Sequence, residues 1–230
     1  MQLFLLHFAG GSHRSYDFLK NLFPTDIEFL PLELPGRGKR ADEKLIQTMS
    51  TAVDDYFEQI KALRKKGPYL IYGHSMGAFL SFKVAERMIS HGDSPKSLVL
   101  TGHPGPGRFF TGPKKHLLND SDFKIHLKNL GGIPDEVLYE KELFDFFNPI
   151  IRADYKIFED YIYCTDTDSK LNIPIVALMG DHEEFSKYIQ NWQKFTSNKF
   201  AYSLLPGNHF FIHSHPEKIA NLIKTTFYSM

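Results

Sequence analysis

The stretch Tyr69-Leu-Ile-Tyr-Gly-His-Ser-Met-Gly-Ala78 restricts what this chain can fold into more than any other. A short apolar run ends in Gly73-His74-Ser75-Met76-Gly77. A helical pattern through Ala78, Phe79, Phe82, Val84, Ala85 and Met88 follows it. G-x-S-x-G at a strand-to-helix junction is the spacing of a nucleophile elbow, with serine at the apex of a sharp turn. The serine must stand clear of the sheet, and glycines two residues to either side keep side chains out of the turn. The next backbone N–H and the new helix N-terminus both direct positive charge at the site. Such an elbow requires partners elsewhere: an oxyanion donor upstream, then an acid and a histidine downstream.

The remaining pattern supplies a sheet for the elbow to stand on. Strand-like runs at 3–7, 27–32, 69–72 and 97–101 alternate with helical runs. The helices are expected at 16–23, from a Ser50 or Thr51 cap through Leu63, and from the elbow to about Ser90. This β-α alternation predicts an α/β fold, a mainly parallel sheet flanked by helices. Between Gly102 and Cys164 the alternation breaks. Short helices are expected at 121–130, 134–138, 140–147 and 151–161, in a segment rich in Phe144, Phe146, Phe147, Ile150 and Ile151. An aromatic helical insertion after a core strand reads as a lid, at roughly 104–164, with Phe144 and Phe147 lining a substrate channel. The alternation resumes with a strand at 173–178, a helix at 185–195, a strand at 201–205 and a closing helix at 216–228. The whole, 1–230, reads as one domain.

Bulk properties exclude several classes. Lys and Arg number 27, as do Asp and Glu, so the formal net charge is zero. No block of like charges marks a nucleic-acid backbone or an anionic membrane as the main partner. The one cysteine, Cys164, rules out an intrachain disulfide. The opening run Met1–His7 is too short and too uncharged for a secretory signal, and no apolar stretch approaches membrane-spanning length. A cytoplasmic monomer is expected.

Chain order then nominates the chemistry. Ser75, an acidic loop and His209 follow one another in the order nucleophile, acid, histidine of the α/β-hydrolase fold. His209 follows a late strand in a Gly-Asn loop and is the expected proton acceptor for Ser75. The loop after Leu178 offers Asp181, Glu183 and Glu184 as the acid. His13, His91, His116, His126, His213 and His215 read as ordinary surface or helix residues. His74 reads as packing, and His103 and His182 as near the site but misplaced for the base.

Further motifs carry a resemblance. They are Phe8-Ala9-Gly10-Gly11, Pro35-Gly36-Arg37 with Arg40, the elbow, Leu130-Gly131-Gly132-Ile133-Pro134, Pro149-Ile-Ile-Arg-Ala-Asp154 and Pro206-Gly-Asn-His-Phe-Phe211. Over nearly its whole length the chain resembles the type II thioesterases of nonribosomal peptide and polyketide assembly lines. These are relatives of the thioesterase that releases fatty acids from animal fatty acid synthase. The resemblance implies Ser75 as nucleophile, His209 as base, and backbone N–H groups of Ala9 and Met76 as oxyanion donors. The family's aspartate, three residues after the glycine of the acid loop, is Glu183 here, with Asp181 the alternative. Asn208 also replaces a frequent glycine, a place where left-handed backbone would be tolerated. The implied substrates are acyl groups on the phosphopantetheine arm of an acyl or peptidyl carrier protein, met transiently. The implied task is removal of misprimed or stalled chains, with no metal or redox cofactor. An acyltransferase on the same fold, passing the acyl group to an alcohol or amine, is the alternative activity.

Overall fold

The computed structural model describes residues 1–107, 112–162 and 170–228. Six strands, β1 (Gln2–Leu6), β2 (Glu28–Leu32), β3 (Tyr69–His74), β4 (Ser97–Thr101), β5 (Ile175–Gly180) and β6 (Phe200–Leu205), form one sheet. Its order is β2-β1-β3-β4-β5-β6, and every neighbouring pair is parallel. The chain steps from β1 outward to β2, then crosses back to β3 on the other side of β1. The loops after β1 and β3 therefore diverge, leaving a crevice at the carboxyl ends of these strands.

Both faces of the sheet are covered, so β1, β3 and β4 are buried at every residue. Alternation along each strand divides the core. Phe4, Leu6, Ile71, Leu98 and Leu100 pack with Tyr56 and Ile60 of α2 (Met49–Leu63) and Phe79 and Phe82 of α3 (Met76–Ser90). Leu3, Leu5, Leu70, Tyr72 and Val99 face the other way. They meet Leu19 of α1 (Asp17–Lys20) and Ile219, Ile223 and Phe227 of α7 (Pro216–Tyr228).

Between β4 and β5 lie α4 (Asp120–Leu130), α5 (Asp135–Tyr139) and α6 (Lys141–Ile162). Phe123, Leu127, Leu138 and Ile151 give them a small core of their own. Two expected helices are here one, since α6 runs through Pro149 without a break. A proline at this place removes one donor, yet residues on both sides are held by packing, with Phe144 buried before it and Ile150, Ile151, Ala153, Asp154 and Ile157 buried after it. Ile157 belongs to the main core, so the second half of α6 is part of the sheet's cover. Cys164, where the insertion was expected to end, lies outside the described residues.

Smaller departures have local causes. The cap of α2 is Thr48, whose Oγ1 accepts the Thr51 N–H at 3.3 Å, so neither Ser50 nor Thr51 holds that position. The run expected as a helix at 16–23 is a single turn, and 185–195 is tight 3-10 turns over Ser186–Phe195. No helix among the described residues is long and apolar enough to cross a membrane.

Candidate active site

The crevice collects the loops that sequence order nominated. β3 ends at His74, α3 begins at Met76, and Ser75 makes the whole turn between them. Its φ of 56° and ψ of −120° make it the only non-glycine residue with positive φ among those described. Strain of this kind persists only where the surroundings impose it. Here a Cβ on Gly73 would stand 2.1 Å from the Gly77 carbonyl oxygen, and one on Gly77 would stand 2.1 Å from that of Leu6. The glycines thus let β1, β3 and α3 approach closely enough to force Ser75 outward.

Ser75 Oγ lies 2.9 Å from His209 Nε2, and His209 Nδ1 lies 2.6 Å from Glu183 Oε2. The other Glu183 oxygen accepts the Gly180 N–H at 2.7 Å. Side-chain exposure is 14% for His209 and 7% for Glu183. A hydrogen bond from Nδ1–H to the carboxylate leaves Nε2 as the acceptor facing Ser75. Asp181 is elsewhere, 42% exposed, with its Oδ1 accepting the Gly207 N–H at 2.9 Å. It braces the loop that carries His209 and does not touch the imidazole. Of the two acids left open by the sequence, the structure brings only Glu183 to the histidine. The tolerance of asparagine for left-handed backbone is not called upon, since Asn208 has no positive φ. Gly207 takes that conformation instead, and Asn208 Oδ1 accepts the Phe210 N–H.

Above Ser75 is a cavity of about 400 Å³, with Ala9, Met76 and His209 in its wall. The insertion roofs it with Leu127, Leu130, Ile133 and Phe158. Phe144 and Phe147 are not in its wall. Phe144 is 4% exposed, and Phe147 packs against the insertion's own core. The turn at Gly131 and Gly132 presses on the ring of Phe210, next to His209, where a Cβ on Gly132 would come within 2.3 Å of ring carbon.

Histidines divide differently from the sequence reading. His126, expected to be an ordinary surface or helix residue, is on α4 but lines the cavity, its Nε2 3.0 Å from Tyr155 OH. His103 and His182 also line it. The signal missed for His126 was spacing: it sits one residue before Leu127 on α4, beside the buried face. His74 packs between Phe8, His209 and Phe210. Burial, then the charge of His209, holds its pKa far below the usual histidine value, so it stays neutral. No group of three or more His, Cys, Asp or Glu side chains among the described residues is arranged to hold a metal.

Residues 1–227 match the family model of the thioesterase domain. The chain belongs to the thioesterase family. Gramicidin S biosynthesis protein GrsT of Aneurinibacillus migulanus is 30% identical over 93% of this chain and 83% of its own. The structure of ClbQ from the colibactin NRPS/PKS pathway superposes with a TM-score of 0.90 at 32% identity, covering 99% of this chain and 97% of that one. The type II thioesterase BorB from the borrelidin biosynthetic cluster gives 0.87 at 30% identity, over 98% and 91%. The α/β-hydrolase fold and the type II thioesterase resemblance read from sequence are both borne out. The thioesterase is a hydrolase acting on thioesters.

Proposed function

We propose that this thioesterase releases acyl groups from the phosphopantetheine arm of a carrier protein by a covalent acyl-serine route. Its task in that reading is the clearing of misprimed or stalled chains from a peptide or polyketide assembly line. The observation that carries the chemistry is the imidazole of His209, within hydrogen-bond reach of Ser75 on one nitrogen and of Glu183 on the other. Carriers come into the reading from the relatives, which serve gramicidin S, colibactin and borrelidin biosynthesis.

Ser75 Oγ attacks the thioester carbonyl while His209 Nε2 takes its proton. Glu183 holds the Nδ1–H tautomer and stabilises the imidazolium that forms. The N–H groups of Ala9 and Met76 receive the oxyanion, and each such donor is worth about 3–4 kcal/mol at the transition state. The pantetheine thiol leaves with the proton from His209. Water, deprotonated by the same nitrogen, then attacks the acyl-serine, and the acid departs. Every proton taken is returned, and no redox equivalent is consumed.

A carrier protein loaded with a short acyl group tests this, read by intact mass. The wild-type enzyme should return the free-thiol carrier and an equimolar free acid, and Ser75→Ala should return neither. Turnover by Ser75→Ala would remove the serine route. Product found on an added alcohol or amine instead of as free acid would replace hydrolysis by acyl transfer.

A further inference from the structure

Two sequence motifs, Pro35-Gly36-Arg37 and Arg152-Ala153-Asp154, take no part in the proton relay, yet they meet beside it. Arg37 Nη1 lies 2.5 Å from Asp154 Oδ2, and Nη2 lies 2.8 Å from Oδ1. The side chains are 4% and 0% exposed. Asp154 Oδ2 also accepts the Gly10 N–H at 2.8 Å, and Arg37 Nη1 reaches the Gly11 carbonyl at 3.4 Å. One turn of α6 earlier, Ile151 fills the space beside Gly10, where an added Cβ would meet its Cγ1 at 2.9 Å. Gly10 has a φ of 76°. The turn that carries Ala9 is therefore gripped by one face of α6.

The neighbouring Arg152 shows that this grip is separate from the lid's internal bracing. Residues two apart on a helix point to different sides. Arg152 donates to the carbonyls of His116 and Leu118 and to Asp120, all within the insertion. Of the two charged residues, Asp154 reaches back to the loop after β1.

A buried ion pair is weak evidence for stability, because apolar residues of similar volume often serve as well. What apolar residues could not supply is an acceptor for the Gly10 N–H. A lone carboxylate could, but Asp154 is also in the cavity wall, where a bare negative charge would oppose the developing oxyanion. Arg37 cancels that charge while leaving the acceptor in place.

We infer that Asp154, neutralised by Arg37, is a positioning residue that fixes the Phe8–Gly11 turn and so aims the Ala9 N–H at the oxyanion. This rests on the acyl-serine reading above. It makes transition-state stabilisation depend on the docking of α6, and it places the second half of that helix in the catalytic framework.

The test compares the double variants Arg37→Met/Asp154→Ala and Arg37→Met/Asp154→Asn. Neither buries a lone charge, and only the second keeps an oxygen for Gly10. Turnover, KM, melting temperature and inhibition by an alkylboronic acid, which forms a tetrahedral anion on the serine, are read together. The alanine variant should lose about 100-fold in kcat, the size of a lost oxyanion donor. Its KM should change less than twofold, and boronate inhibition should weaken in parallel with kcat. The asparagine variant should recover at least about 10-fold of that loss. Wild-type kcat and boronate affinity in a folded alanine variant would overturn the inference, as would equal losses in both variants. If the alanine variant does not fold, Asp154→Glu decides. It keeps the charge on Arg37 but shifts the carboxylate by a methylene, and a kcat equal to wild type would overturn the inference. Ser75→Ala runs beside them. Its turnover would bring down the serine route, whereas an inert Ser75→Ala beside a fully active alanine double variant would bring down the role of Asp154 alone.

Discussion

Glu183 reaches His209 with one carboxylate oxygen because the other is tied to the Gly180 N–H, three residues back. The backbone of Glu183 closes on the same residue, its N–H donating to the Gly180 carbonyl at 3.2 Å. The longer side chain is thus folded against its own loop, and the extra methylene that separates it from aspartate is taken up there. Glu183→Gln keeps the shape but offers the imidazole an amide that can favour the wrong tautomer. Loss of kcat by about 10⁴ is expected, as for other triads so altered. Asp181→Asn, which touches the Gly207 N–H and the exposed His182 ring, keeps an amide oxygen for that N–H and should cost less than about 10-fold, since a hydrogen bond is worth about 1 kcal/mol. Steady-state hydrolysis of one acyl thioester by both variants checks the ranking. A larger loss in Asp181→Asn would move the acid.

The elbow glycines make a sharper structural prediction. Gly77→Ala sets a methyl 2.1 Å from the Leu6 carbonyl oxygen, which belongs to a central strand and cannot step aside. Helix propensity alone favours alanine over glycine by about 1 kcal/mol. The steric term should reverse that, so Gly77→Ala unfolds at a lower temperature than wild type. A melting temperature equal to or above wild type would mean that β1 and α3 can separate.

Chain-length selectivity should follow the cavity wall and not the aromatic run that suggested a channel. Phe158 lines the cavity, whereas Phe144 is outside its wall, buried under the ammonium of Lys124. Phe158→Ala should shift kcat/KM toward longer acyl groups across a series on one carrier. Phe144→Ala should leave the ranking alone and cost about 3 kcal/mol or more of stability, as buried phenylalanines do. An unchanged ranking in Phe158→Ala, beside a changed one in Phe144→Ala, would return the channel to the outer helix face.

How far the sequence could be read depended on whether a feature was local. Ser75 and its glycines signal their turn within five residues, and strand alternation with the order Ser75, acid, His209 carries the sheet. The choice of Glu183 over Asp181 needed the fold, since both lie in one loop and only the side-by-side pairing of β5 and β6, which sets that loop against the one carrying His209, decides which faces the imidazole. Continuity of α6 through Pro149 was hidden because packing of Ile150, Ile151 and Ile157 overrides a local breaker. The Arg37–Asp154 pair joins positions 117 apart, and spacing alone could not pair them.

Acid should weaken the fold through buried histidines that the native state keeps neutral well below their usual pKa. His7 is wholly buried, with Nδ1 on the Phe8 carbonyl and Nε2 accepting the Leu34 N–H. Burial, then the nearby Arg37, lowers its pKa to about 4. Burial, then the charge of His209, lowers that of His103 to about 3, and His74 lies far below its usual value for the same two reasons. Below pH 6.5 the unfolded chain binds protons at these residues while the folded chain does not, so stability must fall as pH falls. The loss begins near 6.5 and continues until each folded pKa is reached, about 4 for His7 and about 3 for His103. At pH 5 the cost is about 2 kcal/mol for each such histidine. Urea unfolding at pH 7.5, 6, 5 and 4.5 measures the slope. His7→Gln, which can still hold one of the two backbone groups but cannot titrate, should lower stability at neutral pH and flatten the slope. An equally steep slope in that variant would assign the acid sensitivity to other groups.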